Sequence, residues 1–319
     1  MNKNQAGYKI KNLEKIDENG KNFLKNEGMP VPSTELKGSW WFAYDSTDSL
    51  KGMAGVELYE NIALLRSLLV DNSLRKSGLG SKLVWEVLGY LYNHGTESVY
   101  LLTETAENFF SRWGFETIDR KKAPEVIENT EEMKTMCSKS AKLMHLSLKH
   151  PPILIRKARI NSYDANHLAR IYNQGIEDRM ATFETTPRDG KEREEWLRER
   201  ENRYAVFIAE TQEKILGWLA LNPFSRREAY GFVAEISIYI ERESRSTGIG
   251  SRLLRKGIKT AKENGFHKLV LTMFPENMAA RNLYRNHGFV TVGVLHEQGK
   301  LDGTWRNTEM MELLLEKKE

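Results

Sequence analysis

One short pattern occurs twice in this 319-residue chain, as RKSGLG at 75–80 and as RSTGIG at 245–250. Each copy follows an apolar stretch and precedes a stretch with helical periodicity, and the copies are 170 residues apart. A later pair also recurs, RWGFETI at 112–118 and NHGFVTV at 286–292. Because the same features return in the same order, the sequence predicts two copies of one domain side by side.

A hydrophobic fraction of 40% over 319 residues is enough for two ordinary cores. Two prolines, Pro151 and Pro152, interrupt regular structure between the copies. The sequence therefore predicts one domain at 1–150 and a second at 151–319.

Within the second copy, strands and helices alternate, which is typical of an α/β fold with a sheet flanked by helices. The stretch FVAEISIYI at 232–240 is a predicted strand, with Ala234 and the isoleucines on one face and Glu235, Ser237 and Tyr239 on the other. The stretch SYDANHLARIYNQGI at 162–176 is a predicted helix with a Ser/Asp cap, and the helix after the glycine pattern is expected to stop at Asn264-Gly265.

Composition excludes several classes of function. Lys and Arg number 48 against 44 Asp and Glu, and without a contiguous basic block this excess does not indicate a nucleic-acid partner. A single cysteine, Cys137, excludes an internal disulfide, and no His or Cys spacing typical of a metal site occurs. Since no apolar run has membrane-spanning length and the first residues lack a signal-peptide core, we expect a cytoplasmic protein with no membrane partner.

The glycine pattern is suited to a phosphate ligand. The first N–H groups of a helix have no partner within it, and the helix dipole adds positive charge there. Gly248 and Gly250 leave these groups uncovered, while Arg245, Thr247 and Ser251 supply further donors. The spacing matches neither Walker A nor the dinucleotide fingerprint, so the predicted ligand is a pyrophosphate held in another way.

The order of these features resembles the GNAT superfamily of N-acetyltransferases, in which Arg-x-x-Gly-x-Gly lies between a strand and a helix. The second half, with AEISIYI, GIGSRLL and FPENMAARNLYRNHGF, is similar to phosphinothricin N-acetyltransferases and their arsinothricin-acetylating relatives. The first half, with LLRSLLVDNSLRKSGLGSKLV and LLTETAENFFSRWGF, resembles an acetyltransferase-like family associated with arsenic resistance. The resemblance implies two tandem GNAT domains, acetyl-CoA as co-substrate, and an amine of a small amino-acid-like toxin as acceptor.

The resemblance also implies where acetyl-CoA binds. In the second half, the implied residues are Ile238, Tyr239, Ile240, Arg245, Ser246, Thr247, Gly248, Ile249, Gly250, Ser251 and Asn277. In the first half they are Arg75, Gly78, Gly80 and Ser81. For Asn277, a helix N-cap is an alternative role.

Acetyl transfer requires a group that takes a proton from the amine, which is mostly protonated at neutral pH. Glu235 is the one acid within FVAEISIYI and is the candidate base, the alternative being a carboxylate paired with a lysine or arginine. Tyr284 matches the superfamily's acid, which donates a proton to the departing thiolate; its alternative role is a core aromatic.

Substrate recognition is expected in the stretch NPFSRREAYGFVAE at 222–235. Arginines suit a substrate that carries a carboxylate and a phosphinate or arsonate. The candidates are Phe224, Arg226, Arg227 and Tyr230, together with Trp305 beyond the Asp302-Gly303 turn. Many family members have an arginine where Ser225 stands, and the bland alternative is a solvated turn with Trp305 packed on the sheet.

The first half lacks the proton-handling residues. A spacing of 170 residues makes Leu65 the counterpart of Glu235. Phe110, four residues before Gly114, is the counterpart of Tyr284. Asn277 has no clear counterpart around Thr105. We therefore expect a ligand-binding or scaffold role for this half, unless Glu104 or Glu107 acts from another position.

Three functions remain open from the sequence. The first is acetylation of a phosphinothricin-type amine, and the second is acetylation of another amine such as methionine sulfone, a polyamine or a peptide terminus. The third is an acetyl-CoA or arsenical sensor with little turnover. The expected assembly is a monomer with pseudo-dimeric halves or a homodimer.

Overall fold

The computed structural model describes residues 8–32, 38–138 and 140–315. The chain divides into two compact units, Met1–Pro152 and Ile153–Glu319, so the division falls directly after the two prolines. The expected boundary at 150/151 lies two residues earlier. Among the described helices, none is long and apolar enough to cross a membrane.

The described part of the N-terminal unit forms a seven-stranded sheet with four α-helices. Its elements are β1 (Lys9–Leu13), α1 (Glu18–Asn26), β2 (Gly38–Tyr44), β3 (Leu50–Tyr59), β4 (Ile62–Val70), α2 (Leu79–Asn93), β5 (Ser98–Thr103), α3 (Glu107–Phe110), β6 (Glu116–Ile118), α4 (Glu125–Glu128) and β7 (Lys142–Ser147).

The described part of the C-terminal unit has the same inventory. Its elements are β8 (Leu154–Lys157), α5 (Ser162–Glu177), α6 (Gly190–Arg198), β9 (Val206–Glu210), β10 (Ile215–Pro223), β11 (Val233–Ile240), α7 (Ile249–Glu263), β12 (Lys268–Met273), α8 (Met278–Arg285), β13 (Val290–Leu301) and β14 (Thr304–Leu314).

Both sheets have the same strand order. In the N-terminal unit it is β1-β2-β3-β4-β5-β7-β6, and in the C-terminal unit it is β8-β9-β10-β11-β12-β14-β13. One neighbouring pair in each sheet is parallel, β4 with β5 and β11 with β12, and the other pairs are antiparallel. The predicted fold, two tandem α/β domains with mixed sheets flanked by helices, is confirmed.

The parallel pair of the C-terminal unit separates partway along its length. Strand β11 pairs with β12 at Val233, Ala234 and Glu235. Beyond that point β11 continues to Ile240 while paired with β10. The separation leaves room between β11 and β12, beginning at Glu235.

The alternation predicted for β11 is observed. Ala234 and Ile236 pack in the core with Leu253 and Leu254 of α7. Tyr239 points to the other face, where the side chains of α5 form a second core cluster. Glu235 has the same parity as Tyr239, so its side chain leaves the sheet on the face opposite α7.

Of the two helix ends predicted from local signals, one is confirmed and one is corrected. The expected Ser/Asp cap of α5 is wrong, because Asn161 is the N-cap and its side chain accepts from the N–H of Asp164. Helix α7 ends as predicted, with Asn264 as the C-cap and Gly265 at a φ of 77°. Asp302 and Gly303 both have positive φ, as a two-residue turn between β13 and β14 requires.

Candidate active site

The glycine pattern of the C-terminal unit forms a loop whose N–H groups are free. Ser246 and Gly248 have φ angles of 63° and 83°, and α7 begins at the next residue. Within the described residues, the backbone N–H groups of 246–251 donate to no protein acceptor. An added Cβ at Gly248 would meet no atom within 4 Å, so glycine serves the backbone conformation there. These donors fit a diphosphate.

Three polar side chains of this loop already have partners within the protein. Thr247 Oγ1 donates to the carbonyl of Ser244 over 2.7 Å, and Ser251 Oγ lies 2.9 Å from His287 Nε2. Arg245 forms a 2.6 Å ion pair with Asp178, the C-cap residue of α5. The backbone of the loop therefore offers more free donors to a ligand than its side chains do.

A cavity of about 500 Å³ lies where β11 and β12 separate. Five residues expected from the sequence line it: Glu235, Ile238, Tyr239, Asn277 and Tyr284. Ile240 and the loop at 245–251 lie outside this lining. The cavity thus brings the candidate base and the candidate acid into one space.

Glu235 is half-buried on the cavity wall. Burial raises the pKa of its carboxyl above the ordinary value. Among the described residues no lysine or arginine pairs with it, so the ion-pair alternative receives no support. A carboxylate with a raised pKa is a better match for a proton from an amine.

Tyr284 is buried and packs against Phe289, with ring centroids 5.3 Å apart. Burial raises the pKa of its hydroxyl well above the ordinary value, and the charge of Glu235 raises it further. The hydroxyl therefore keeps its proton at neutral pH and can donate it as a hydrogen bond to a developing thiolate.

Asn277 has two contacts that fix its side chain. Its Oδ1 accepts from the N–H of Ala280 over 3.1 Å, as an N-cap of α8, and its Nδ2 donates to the carbonyl of Met180 over 3.1 Å. The alternative N-cap role is therefore observed, at a residue that also lines the cavity.

The residues expected to recognise the substrate lie outside the cavity lining. Phe224 and Tyr230 are exposed and pack edge to face, with centroids 5.5 Å apart. Trp305 is 56% exposed beyond the β13–β14 turn. Arg226 and Arg227 lie between β10 and β11, where the N–H of Arg227 donates to Ser225 Oγ. Their role in substrate binding stays a prediction.

Several cavity residues have no counterpart among the expected ones. The segment 181–186 between α5 and α6 forms part of the wall, and its Phe183 packs edge to face on Phe274. Thr308 of β14 is buried, and its Oγ1 has no hydrogen-bond partner among the residues that the structure describes. A long connection between two helices is often functional. The length of the connection between α5 and α6 was therefore the one signal in the sequence that could have identified segment 181–186.

The glycine loop of the N-terminal unit has the same pattern of φ angles, but the N–H of Ser77 donates to the carbonyl of Leu74 and the N–H of Leu79 to Ser77 Oγ. Lys76 and Gly78 have φ angles of 67° and 98°, and α2 begins at Leu79. Arg75 lies 3.9 Å from a carboxylate oxygen of Glu27, the C-cap residue of α1. Each unit therefore places its loop arginine beside an acid at the end of its first helix.

The sheet register corrects the expected counterpart of Glu235. The parallel pairing matches Leu64 with Tyr100, and Glu235 with Val270 at the equivalent place. Leu64, not Leu65, therefore stands in the position of Glu235. The spacing of 170 fails here because a β-bulge at Ser67 (φ 51°) adds one residue to β4.

The region around α3 lacks two features of α8, the side-chain cap and the tyrosine hydroxyl. Thr103, the last residue of β5, accepts at Oγ1 from the N–H of Ala106 over 2.9 Å, but α3 begins at Glu107 with no side-chain cap, so this hydrogen bond is not the counterpart of the Asn277 cap. Phe110 packs on Phe115, as Tyr284 packs on Phe289, but it lacks the hydroxyl. The alternative acids are both engaged, Glu104 by Ser138 and Glu107 by Lys142.

Comparisons with known proteins identify both regions. The acetyltransferase (GNAT) family matches residues 15–115 and 169–289. An L-methionine sulfoximine/L-methionine sulfone acetyltransferase of Pseudomonas aeruginosa is 27% identical over 48% of this chain and 90% of its own length. A phosphinothricin N-acetyltransferase of Streptomyces viridochromogenes is 26% identical over 51% and 87%. A solved Sinorhizobium meliloti phosphinothricin acetyltransferase in complex with acetyl-CoA is 25% identical over 51% and 88%, with a TM-score of 0.48.

Proposed function

The chain belongs to the acetyltransferase (GNAT) family, and we propose that its C-terminal unit moves the acetyl group of acetyl-CoA to the amine of a small amino-acid-like compound. One observation carries the proposal: half-buried Glu235 stands where β11 and β12 separate, in the same cavity as the buried hydroxyl of Tyr284. The two groups have opposite tasks, since one accepts a proton and the other donates a hydrogen bond.

Acetyl-CoA, when bound, supplies the activated acetyl group, and the N–H groups of 246–251 are placed to hold its diphosphate. Glu235 takes a proton from the amine, directly or through water. The amine nitrogen then bonds to the acetyl carbon while the bond from that carbon to sulfur breaks. Tyr284 donates a hydrogen bond to the departing sulfur and keeps its own proton, while the thiolate takes up the second proton that the nitrogen loses as it becomes an amide.

The acceptor class follows from the relatives. Those reported above are named for phosphinothricin, methionine sulfoximine or methionine sulfone, all of which carry an amine beside a carboxylate. We place this chain's acceptor in that class. Acetylation of an arsenical amino acid, and substrate contacts from Arg226, Arg227, Phe224, Tyr230 and Trp305, stay predictions.

For the N-terminal unit we propose ligand binding or a scaffold role without acetyl transfer. Its loop keeps the positive φ angles at Lys76 and Gly78, but Leu64 and Phe110 stand at the positions of the two proposed proton-handling residues. The arsenic-linked role of this half, the oligomeric state and the cytoplasmic location stay predictions.

The test is thiol release from acetyl-CoA in the presence of phosphinothricin, methionine sulfone, a polyamine and a dipeptide. We expect turnover with the first two compounds, retained in Arg75→Ala because that residue lies in the other unit. Turnover with the polyamine or dipeptide alone would contradict the proposed acceptor class. Binding of acetyl-CoA without thiol release from any amine would favour a sensor.

A further inference from the structure

A chain of hydrogen bonds runs to the cavity wall beside Glu235. Arg200, two residues after α6, donates from Nη1 to Oδ1 of Asn222 over 3.1 Å. Asn222 on β10 donates from Nδ2 to Oγ of Ser237 on β11, also over 3.1 Å. Ser237 lines the cavity, and Asn222 is the cross-strand neighbour of Glu235.

The chemistry of Arg200, Asn222 and Ser237 fixes which group donates and which accepts in both hydrogen bonds. A guanidinium has no acceptor, so the amide oxygen of Asn222 must face Arg200. The amide nitrogen then faces Ser237 and can only donate. The orientation of Asn222, which is often ambiguous, is thereby fixed by its neighbours.

The hydroxyl hydrogen of Ser237 remains free. Its oxygen accepts from Asn222, and among the described residues no protein acceptor receives its hydrogen. A hydroxyl on a cavity wall with an unused hydrogen is placed to donate to a ligand. The hydrogen bonds from Arg200 through Asn222 therefore orient Ser237 so that its hydroxyl can donate into the cavity. Ser237 is two residues from Glu235 on the same face of β11.

Arg200 places a positive charge at the end of this hydrogen-bond series that is farthest from the cavity. Arg200 is largely withdrawn from solvent, and within the described residues it pairs with no carboxylate. Its other donors reach the carbonyls of Tyr204 and Leu221, and its guanidinium lies 4.3 Å from the ring centroid of Trp196. Burial lowers the pKa of Arg200 to about 10, so the group stays charged at neutral pH. An uncompensated cation behind a hydroxyl donor favours an anion in front of it.

We propose that Ser237 binds the carboxylate of the amine substrate, with Asn222 and Arg200 as positioning residues behind it. The inference rests on the proposed function, because it takes the amine to be at Glu235. Residues two apart on a strand face are about 6.6 Å apart. With a hydrogen bond at each end, the amine and carboxylate of one α-amino acid can span that distance.

Two substrates and two variants test this. Methionine sulfone is compared with 3-(methylsulfonyl)propylamine, the same molecule without the carboxylate. In Ser237→Ala we expect kcat/KM for methionine sulfone to fall roughly tenfold through KM, as for a lost hydrogen bond to a charged group. The kcat/KM for the amine without the carboxylate and the KM for acetyl-CoA should be unaffected. Ser237→Thr, which keeps the hydroxyl, should bind methionine sulfone as the wild type does.

Asn222→Asp is the sharper variant. It is isosteric and gives Arg200 a carboxylate partner, so a merely structural role predicts no loss. Because aspartate has no N–H, the Ser237 hydroxyl would turn to donate to it and leave the cavity. We expect Asn222→Asp to lower kcat/KM for methionine sulfone as much as Ser237→Ala does. The double variant should show no further decrease. The amine without the carboxylate controls for any shift in the pKa of Glu235, since it uses the same base.

Equal losses with both amines, or a raised KM for acetyl-CoA, would overturn the inference, as would an unchanged Ser237→Ala. If the wild-type protein acetylates neither amine, the proposed function fails. Calorimetric binding of methionine sulfone to the wild-type and Ser237→Ala proteins then decides the inference, which requires weaker binding in the variant.

Discussion

Asn222 and Ser237 of the C-terminal unit occupy the same sheet positions as Glu57 and Arg66 of the N-terminal unit. Asn222 pairs with Glu235, and Glu57 pairs with Leu64, the counterpart of Glu235. In the C-terminal unit the pair passes a donor into a cavity.

In the N-terminal unit the same positions are closed on each other. Arg66, fully buried, donates to Glu57, and it also lies 3.2 Å from Glu132. Tyr59 donates to the other oxygen of Glu57 over 2.5 Å. Leu64 packs beside them in a cluster with Ile127 of α4. Side chains of the unit itself occupy this side of the sheet.

This contrast separates two requirements of an acetyltransferase. The proposed diphosphate loop uses backbone groups and needs only the conformations that glycine allows, and these conformations occur in both units. The proposed proton transfer depends on individual side chains, Glu235 and Tyr284, whose positions in the N-terminal unit hold Leu64 and Phe110. Variants that exchange these side chains test whether the contrast is functional.

The largest effect is expected for Glu235→Gln. Glutamine keeps the shape but cannot take a proton, so kcat should fall by about 10²–10⁴-fold. Initial rates of thiol release measure this, with acetyl-CoA binding as the control for a folded site. A rate within a factor of three of the wild type would remove Glu235 as the base.

The pH profile gives a second reading of the same group. Because burial raises the pKa of Glu235, the carboxylate should lose activity by protonation at a higher pH than its ordinary value of 4.5. As the pH falls, kcat should therefore decline before an exposed glutamate would titrate. The decline should be absent from the residual rate of Glu235→Gln, and its persistence there would assign it to another group.

In the N-terminal unit, the corresponding change affects stability. Glu57→Gln leaves the guanidinium of Arg66 buried with Glu132 as its remaining acid, at a cost of about 3 kcal/mol to the unfolding free energy. Hydrogen exchange of β3 and β4 measures this, and the exchange of β10 and β11 is the internal control. Unchanged exchange in β3 and β4, or a loss of acetyl transfer with the fold intact, would contradict the separation of roles.

The sequence was sufficient to predict the two-domain fold and those candidate site residues that differ from their immediate neighbours. Glu235 is an acid in an apolar strand, and the glycine loops repeat with their flanking elements, so both were found from patterns. Leu64 was missed by one residue because a β-bulge at Ser67 changes the spacing without a sequence signal.

Contacts between distant residues could not be predicted. Arg200, Asn222 and Ser237 are 22 and 15 residues apart, and each is unremarkable in its own segment. Their connection depends on the register of β10 with β11 and on the path of the chain after α6.

Tyr284→Phe makes the C-terminal unit resemble the N-terminal unit, where Phe110 stands. The lost hydrogen bond to a developing thiolate should cost about 1.5–3 kcal/mol, roughly a 10- to 150-fold loss in kcat. The measurement is kcat with acetyl-CoA and with a thioester whose thiol is more acidic. The more acidic leaving group should recover much of the loss, and an equal loss with both would show that Tyr284 acts by packing.

The smallest effect distinguishes the two glycine loops. An added Cβ at Gly250 would lie 3.1 Å from Leu283, tighter than ordinary contact, whereas one at Gly80 would lie 3.6 Å from Val70. Gly250→Ala should therefore displace Leu283 and weaken acetyl-CoA binding by about 1 kcal/mol, roughly fivefold in KM. Gly80→Ala is the matched control and should leave the KM unchanged, because its methyl group fits and its loop lies in the other unit. Equal increases in both variants would mean that the N-terminal loop contributes to the acetyl-CoA used in transfer, and the division of labour between the units would have to be withdrawn.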